Sequence, residues 1–216
     1  MNESGNNEVR KEQSLNSNNQ DPLKSIVLSQ IGTDSQSSIK GRSSSTSNAL
    51  YVPWKDGSLY ENGYISKLSH SGELQWRKQI ADVNQITTAT DKDEKIYAAW
   101  SRNSYHTEET RGSFIAKLNP DNGEIVWKTE LESHNYIIND LHAVGNTLYA
   151  VGQYKGTKRP LFIAINRNDG SLLWQKEVAA SDSTAFTEID SDGSNLYVSS
   201  KSALGISGTC LLYTSP

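Results

Sequence analysis

From residue 49 onward the chain consists of short runs in which apolar and polar side chains alternate, set between clusters of Asn, Asp, Gly and Ser. Alternation of period two over such runs predicts half-buried β-strands. No segment carries a convincing helical stripe. The runs also recur in a fixed order. A strand ending in Leu-Tyr or Ile-Tyr comes first: "ALYV" (49–52), "KIYAAW" (95–100), "TLYAVG" (147–152) and "NLYVSS" (195–200). After a variable loop follow "YISKL" (64–68), "FIAKL" (114–118) or "LFIAI" (161–165). A tight turn then leads into a tryptophan strand: "SGELQWRKQI" (71–80), "NGEIVWKTEL" (122–131) and "DGSLLWQKEV" (169–178).

Trp76, Trp127 and Trp174 lie 51 and 47 residues apart, and Tyr97, Tyr149 and Tyr197 lie 52 and 48 apart. A period near 50 with several strands per unit marks a repeat array. Each unit reads as about four antiparallel strands, the content of one propeller blade. The expected fold is therefore all-β: a partial β-propeller of about three to four blades behind a disordered N-terminal segment. Residues 1–37 form that segment, with a possible strand at 24–31. The units run 38–82, 83–133, 134–180 and, in part, 181–209.

Within the tryptophan strand, alternation puts Leu74, Trp76 and Ile80 on one side. Ile125, Trp127 and Leu131 share a side likewise, as do Leu172, Trp174 and Val178. That side is expected to pack on a neighbouring sheet. The glycines before it, Gly72, Gly123 and Gly170, are expected to supply the positive φ of a tight hairpin. Tyr97, Tyr149 and Tyr197 complete the structural set.

Composition separates the N-terminal segment from the rest. Residues 1–50 hold 12 Ser, 7 Asn and 4 Gln and no aromatic residue. Such a stretch buries too little apolar surface to offset its ordering entropy. "SSIKGRSSSTSN" (37–48) reads as loop or linker. The net charge of −4 with scattered Lys and Arg leaves no electrostatic footprint for nucleic acid. No apolar run is long enough to span a bilayer, and no signal peptide is found in this chain. The single cysteine, Cys210, excludes an internal disulfide and a Cys-based metal site. It opens "CLLYTSP" (210–216), which back-translates to a transposon-end adapter used in preparing sequencing libraries. That reading makes 210–216 a non-native tail; an edge strand of the fourth unit fits the same residues.

These residues resemble a known family. "SFIAKLNPDNGEIVWKTEL" and "GYISKLSHSGELQWRKQI" are similar to the bacterial β-propeller repeat "D-[FA]-[VI]-A-K-[LY]-D-x-x-G-x-x-x-W". They also resemble the broader quinoprotein-like repeat, whose G-x-x-x-W tryptophan docks between blades. The resemblance covers residues 49–205. It departs from the pattern at Gly63, Ser113 and Leu161, where the family carries Asp. It implies a propeller, expected to be extracytoplasmic (periplasmic or secreted) in a bacterium. Closed propellers have four to eight blades, so the native protein is expected to be longer.

Candidate chemistry is sparse. The acidic turns "DKDE" (91–94), "NPDNGE" (119–124) and "DSDG" (190–193) offer hard oxygen ligands, but turn formation explains the same residues. His70, His106, His134 and His142 form no i, i+4 pair; His134 and His142 flank a strand expected to line the central channel. Nucleotide, dinucleotide and hydrolase motifs are absent. No catalytic residue, metal ligand or cofactor is assigned. The loops 53–62 and 101–112 are the candidate contact surfaces, through Trp54, Tyr60, Tyr105 and His106. The expected function is a non-catalytic binding or scaffold module whose partner is a protein or a surface glycan. The alternatives are a fragment of a quinone-dependent propeller enzyme and an outer-membrane assembly scaffold.

Overall fold

A computed structural model describes residues 38–39, 42–56, 62–80, 83–102, 112–131, 136–154, 159–178, 184–202 and 210–214. The N-terminal segment 1–37 lies outside them. The first sheet holds β1 (Ser38–Ile39), β2 (Ser44–Ser45), β3 (Ala49–Lys55), β4 (Gly63–Ser69) and β5 (Leu74–Ile80). In it β1 and β2 both pair with β3, so they share the place of a single inner strand. The second is β6 (Val83–Thr90), β7 (Ile96–Arg102), β8 (Gly112–Leu118) and β9 (Ile125–Glu130). The third is β10 (Tyr136–Val144), β11 (Thr147–Tyr154), β12 (Pro160–Asn166) and β13 (Leu172–Glu177). The fourth is β14 (Thr184–Ser191), β15 (Asn195–Ser202) and β16 (Cys210–Thr214).

Every described pairing is antiparallel and, β1 with β3 aside, joins strands consecutive in the chain. Each sheet is one blade, and the described blades form an open, partial propeller. Cys210–Thr214, the segment that also reads as library adapter, pairs with Asn195–Ser199. That pairing requires only backbone and apolar alternation, whatever the origin of the segment.

The middle strands are buried on both faces, and alternate residues serve different blade interfaces. In β7, Ile96, Ala98 and Trp100 face the first blade with Tyr51 and Ile65. Tyr97 and Ala99 face the third blade with Leu148, Ile163 and Leu141. Between the third and fourth blades, Tyr149 and Phe162 meet Phe186, Leu196 and Val198. This two-sided burial accounts for the nearly continuous apolar runs "IYAAW" and "LFIAI". Tyr51, Tyr97 and Tyr149 are buried against the following blade, whereas Tyr197 is 38% exposed. Among the described residues no following sheet covers its face.

Two of the tryptophans donate to the turn of the next blade. Trp76 Nε1–H donates to the Pro120 carbonyl of the next blade's turn (2.9 Å). Trp127 Nε1–H donates to the Arg167 carbonyl in the equivalent turn (3.1 Å). Gly72, Gly123 and Gly170 have φ of +88°, +73° and +79°. At the latter two the missing side chain is a second requirement: a Cβ on Gly123 would lie 2.8 Å from Trp76, and one on Gly170 2.6 Å from Trp127. Gly193 has φ +92° with nothing within 4 Å of its Cβ position. Gly193→Ala is thus expected to cost about 1–2 kcal/mol for the left-handed backbone alone. Gly170→Ala should cost at least about 1 kcal/mol more, through overpacking. Urea denaturation measures both; equal losses would refute the docking role of Gly170.

One expectation about these strands is corrected. Leu74, Ile125 and Leu172 do not share the packing face of their tryptophans; they are exposed. The cause is a β-bulge repeated in three blades. Lys67 pairs with Trp76 but Leu68 with Leu74; Lys117 pairs with Trp127 but Leu118 with Ile125; Ala164 pairs with Trp174 but Ile165 with Leu172. Gln75, Val126 and Leu173 are the extra residues, and a bulge interrupts the strict in–out alternation.

Candidate functional site

The innermost strands carry a second repeated bulge. In β6 the register shifts between Val83 and Gln85, in β10 between Ile138 and Asp140, and in β14 between Phe186 and Glu188. Bulges of this kind re-aim side chains and cluster near binding sites. Here they set Gln85, Asp140 and Glu188 at equivalent positions around the axis. Polar contacts then run from blade to blade. Gln85 Nε2 donates to Asn139 Oδ1 (3.0 Å), and Asn139 Nδ2 donates to the Phe186 carbonyl (2.6 Å).

Arg42 enters this axis from the Ser-rich segment of the first blade. Its backbone N–H donates to Thr87 Oγ1, and its carbonyl accepts from Thr88 N–H (2.9 Å). Its guanidinium reaches two other blades: Nη1 pairs with Asp140 Oδ2, and Nη2 with Glu188 Oε1 at 3.0 Å. Asp140 is 1% exposed. Its Oδ1 accepts Leu141 N–H, and its Oδ2 also accepts Ile189 N–H, both at 3.0 Å. Burial pushes the Asp140 carboxyl above the ordinary carboxylate range; the Ile189 N–H, Arg42 and the Leu141 N–H oppose that shift.

A cavity of about 510 Å³ opens over this cluster, lined by the Arg42–Ser45 segment, Thr88–Thr90, Asp140–His142 and Glu188–Asp190. Ser44 Oγ donates to Thr88 Oγ1 (3.1 Å), and Thr90 Oγ1 donates to the Ser45 carbonyl (2.6 Å). His142 Nδ1 lies 3.7 Å from Asp190 Oδ1. Asp140, Glu188 and Asp190 set three carboxylates against the one guanidinium in the lining.

A second network sits between the turns of the second and third blades. Arg167 pairs with Asp91 (3.0 Å) and Asp93 (2.9 Å) while its carbonyl holds Trp127. Tyr97 O–H donates to Asp91 Oδ2 (3.1 Å). Burial, reinforced by Asp91, pushes the Tyr97 phenol well above its ordinary value. The hydrogen bond from Arg167 lowers the Asp93 carboxyl.

Of the residues singled out in the sequence, Trp54 is placed differently from expectation. It belongs to β3 rather than to a loop, is 1% exposed, stacks on Tyr64 with centroids 4.3 Å apart, and donates from Nε1 to Ser66 Oγ. Its neighbours Val52 and Leu68 are buried with it, so strand alternation carries "VPW" inward. Tyr60, Tyr105, His106 and His134 lie outside the described residues. His70 is exposed in its turn. The acidic turns use their oxygens locally: Asp91 Oδ1 accepts Asp93 and Lys95 N–H, Asn119 Oδ1 accepts Asp121 N–H, and Asp192 Oδ1 accepts Ser194 and Asn195 N–H. Asp192 is held well below the usual carboxylate range, first by the Tyr197 hydroxyl.

Of the axial carboxylates, Asp140 has no oxygen left over for the calcium ion that a quinone cofactor would bring. Both oxygens of Asp140 are committed to Arg42 and backbone N–H groups. Arg42 itself escaped sequence reasoning, because a serine-rich stretch reads as linker. The available signal was the recurrence of polar residues, Gln85, Asp140 and Glu188, at one position of the inner strand.

The family model described as outer membrane protein assembly factor BamB matches residues 61–214. No curated protein matches the chain in sequence. Among solved structures, a GH43 enzyme from Xanthomonas citri is 10% identical, with 80% of this chain and 66% of that chain covered and a TM-score of 0.50. A gluconolactonase from Xanthomonas campestris is 12% identical over 83% and 76% of the two chains, TM-score 0.46. The quinohemoprotein alcohol dehydrogenase from Comamonas testosteroni is 13% identical over 78% and 34%, TM-score 0.45. The chain thus spans about a third of the last protein's length. At these identities the likeness concerns the fold alone.

Proposed function

The chain belongs to the family of the outer membrane protein assembly factor BamB, and we propose that it is a non-catalytic scaffold propeller of the bacterial cell envelope, binding protein partners during outer-membrane assembly. The observation that carries this reading is the repeated display of apolar side chains on the outer strands. Leu74, Ile125, Val126, Leu172 and Leu173 are exposed at equivalent places in three blades, Val126 at 57% and Leu173 at 51%. Recurrent bulges hold them there, on strands whose outer edge faces away from the axis. Exposed apolar groups repeated along one rim favour a protein contact.

The test is binding of the purified chain to an outer-membrane β-barrel protein diluted from urea, with a folded globular protein as control. The chain is expected to bind the former only. Val126→Asp/Leu173→Asp should weaken that binding by at least about tenfold with unchanged circular dichroism. Equal binding by the double variant, or none by the wild type, overturns the reading.

A further inference from the structure

We propose that Arg42 is an axial clasp, a positioning residue that makes the placement of the fourth blade depend on the first. In a repeat array each unit ordinarily touches only its neighbours. Arg42 is an exception: it lies 98 residues from Asp140 and 146 from Glu188, and its guanidinium binds both. The other side of the clasp is equally anchored. The Arg42 backbone is held by Thr87 and Thr88 of the second blade, so the arm is fixed before it crosses the axis.

Asp140 completes the linkage. Its Oδ2 receives the Arg42 guanidinium and the Ile189 N–H together, joining the first, third and fourth blades through one carboxylate. Glu188, one residue before Ile189 on β14, takes the second arm of the guanidinium. The inner strand of the first blade is only the two short pieces β1 and β2. Its contribution to the axis is therefore the short Arg42–Ser45 segment, where the other blades contribute a full strand. The array is fastened across its centre, and the residues of the clasp line the axial cavity.

Hydrogen exchange on the full chain, read by mass spectrometry, tests this. In Arg42→Gln, amides of β14 (Thr184–Ser191) are expected to exchange about tenfold faster, the loss of charge-assisted hydrogen bonds at a local opening. Amides of β8 (Gly112–Leu118), remote from the clasp, should change less than about twofold. Glu188→Gln, at an exposed side chain, keeps the Asp140 arm and should accelerate β14 by a smaller factor, about threefold. Arg42→Lys retains charge without the two-armed reach and should restore protection only in part. If Arg42→Gln does not fold, Glu188→Gln decides alone. Unchanged β14 protection in the variants that fold, or equal acceleration in β8 and β14, overturns the proposal.

Discussion

Trp127→Ala is expected to lower the unfolding free energy by about 3–5 kcal/mol, the usual cost of deleting a large packed side chain. Three losses coincide at this residue. The indole packs between Tyr97, 6.3 Å away by centroid, and the Gly170 turn of the next blade. Its Nε1–H holds the Arg167 carbonyl, the residue that also pairs with Asp91 and Asp93. Removing the ring therefore leaves a void and loosens the turn that carries Arg167. Guanidinium denaturation, compared with Trp174→Ala, provides the check. Trp174 packs against Tyr149 and Phe162 of its own blade and borders the core shared with the fourth. A Trp127 loss of under about 1 kcal/mol would contradict the joining role given to the tryptophans.

Asp140→Ala is the second large effect, an expected loss of about 2–5 kcal/mol. Two opposing terms decide its sign. Burial makes the charged carboxylate costly, which favours the alanine. The substitution, however, leaves Leu141 N–H and Ile189 N–H without their acceptor in a buried setting. Orphaned buried donors cost about 1–3 kcal/mol each, so this term wins. Arg42, whose side chain is 45% exposed, loses its Asp140 arm but keeps Glu188, so no cation is stranded in a buried setting. The pH dependence follows from the raised carboxyl. A folded-state value above the unfolded one means the folded chain binds the proton more tightly. This contribution is fully present at low pH and declines as pH rises from the ordinary carboxylate range through the raised value. The gap between wild type and Asp140→Ala should accordingly narrow as pH rises. Denaturation midpoints across that range measure it, and a widening gap contradicts the assignment.

The elements that local chemistry controls were readable in advance. Alternation located the strands, and Asn-Gly, Asp-Gly and Ser-Gly located the turns where φ is positive. The spacing of Trp76, Trp127 and Trp174 identified a blade repeat, because only a period shared by several strands produces it. Strict alternation failed for Leu74, Ile125 and Leu172. A bulge adds one residue to one strand of a pair, and nothing in "ELQW", "EIVW" or "SLLW" alone says which residue is extra. Trp54 was misplaced for a related reason: "VPWK" carries a proline, which suggests a loop, while its backbone continues β3 to Lys55.

The axis was the least legible part. Ser, Thr and a lone Arg in "GRSSSTSN" have the composition of a linker, and no local rule distinguishes a linker from a segment pinned across a propeller's centre. Asp140 looked like any acidic residue on a strand. Its character depends on Ile189, 49 residues later, and on Arg42, 98 residues earlier.

By itself, then, the sequence determined the repeat and the strand order. These follow from interactions within a strand, a hairpin or one repeat period. Only the tertiary structure decided which side chains meet at the axis and which apolar groups remain exposed on the rim. Those outcomes depend on bulges that shift pairing by one residue and on the rotation of each blade about the centre, and neither is encoded in any single stretch of the chain.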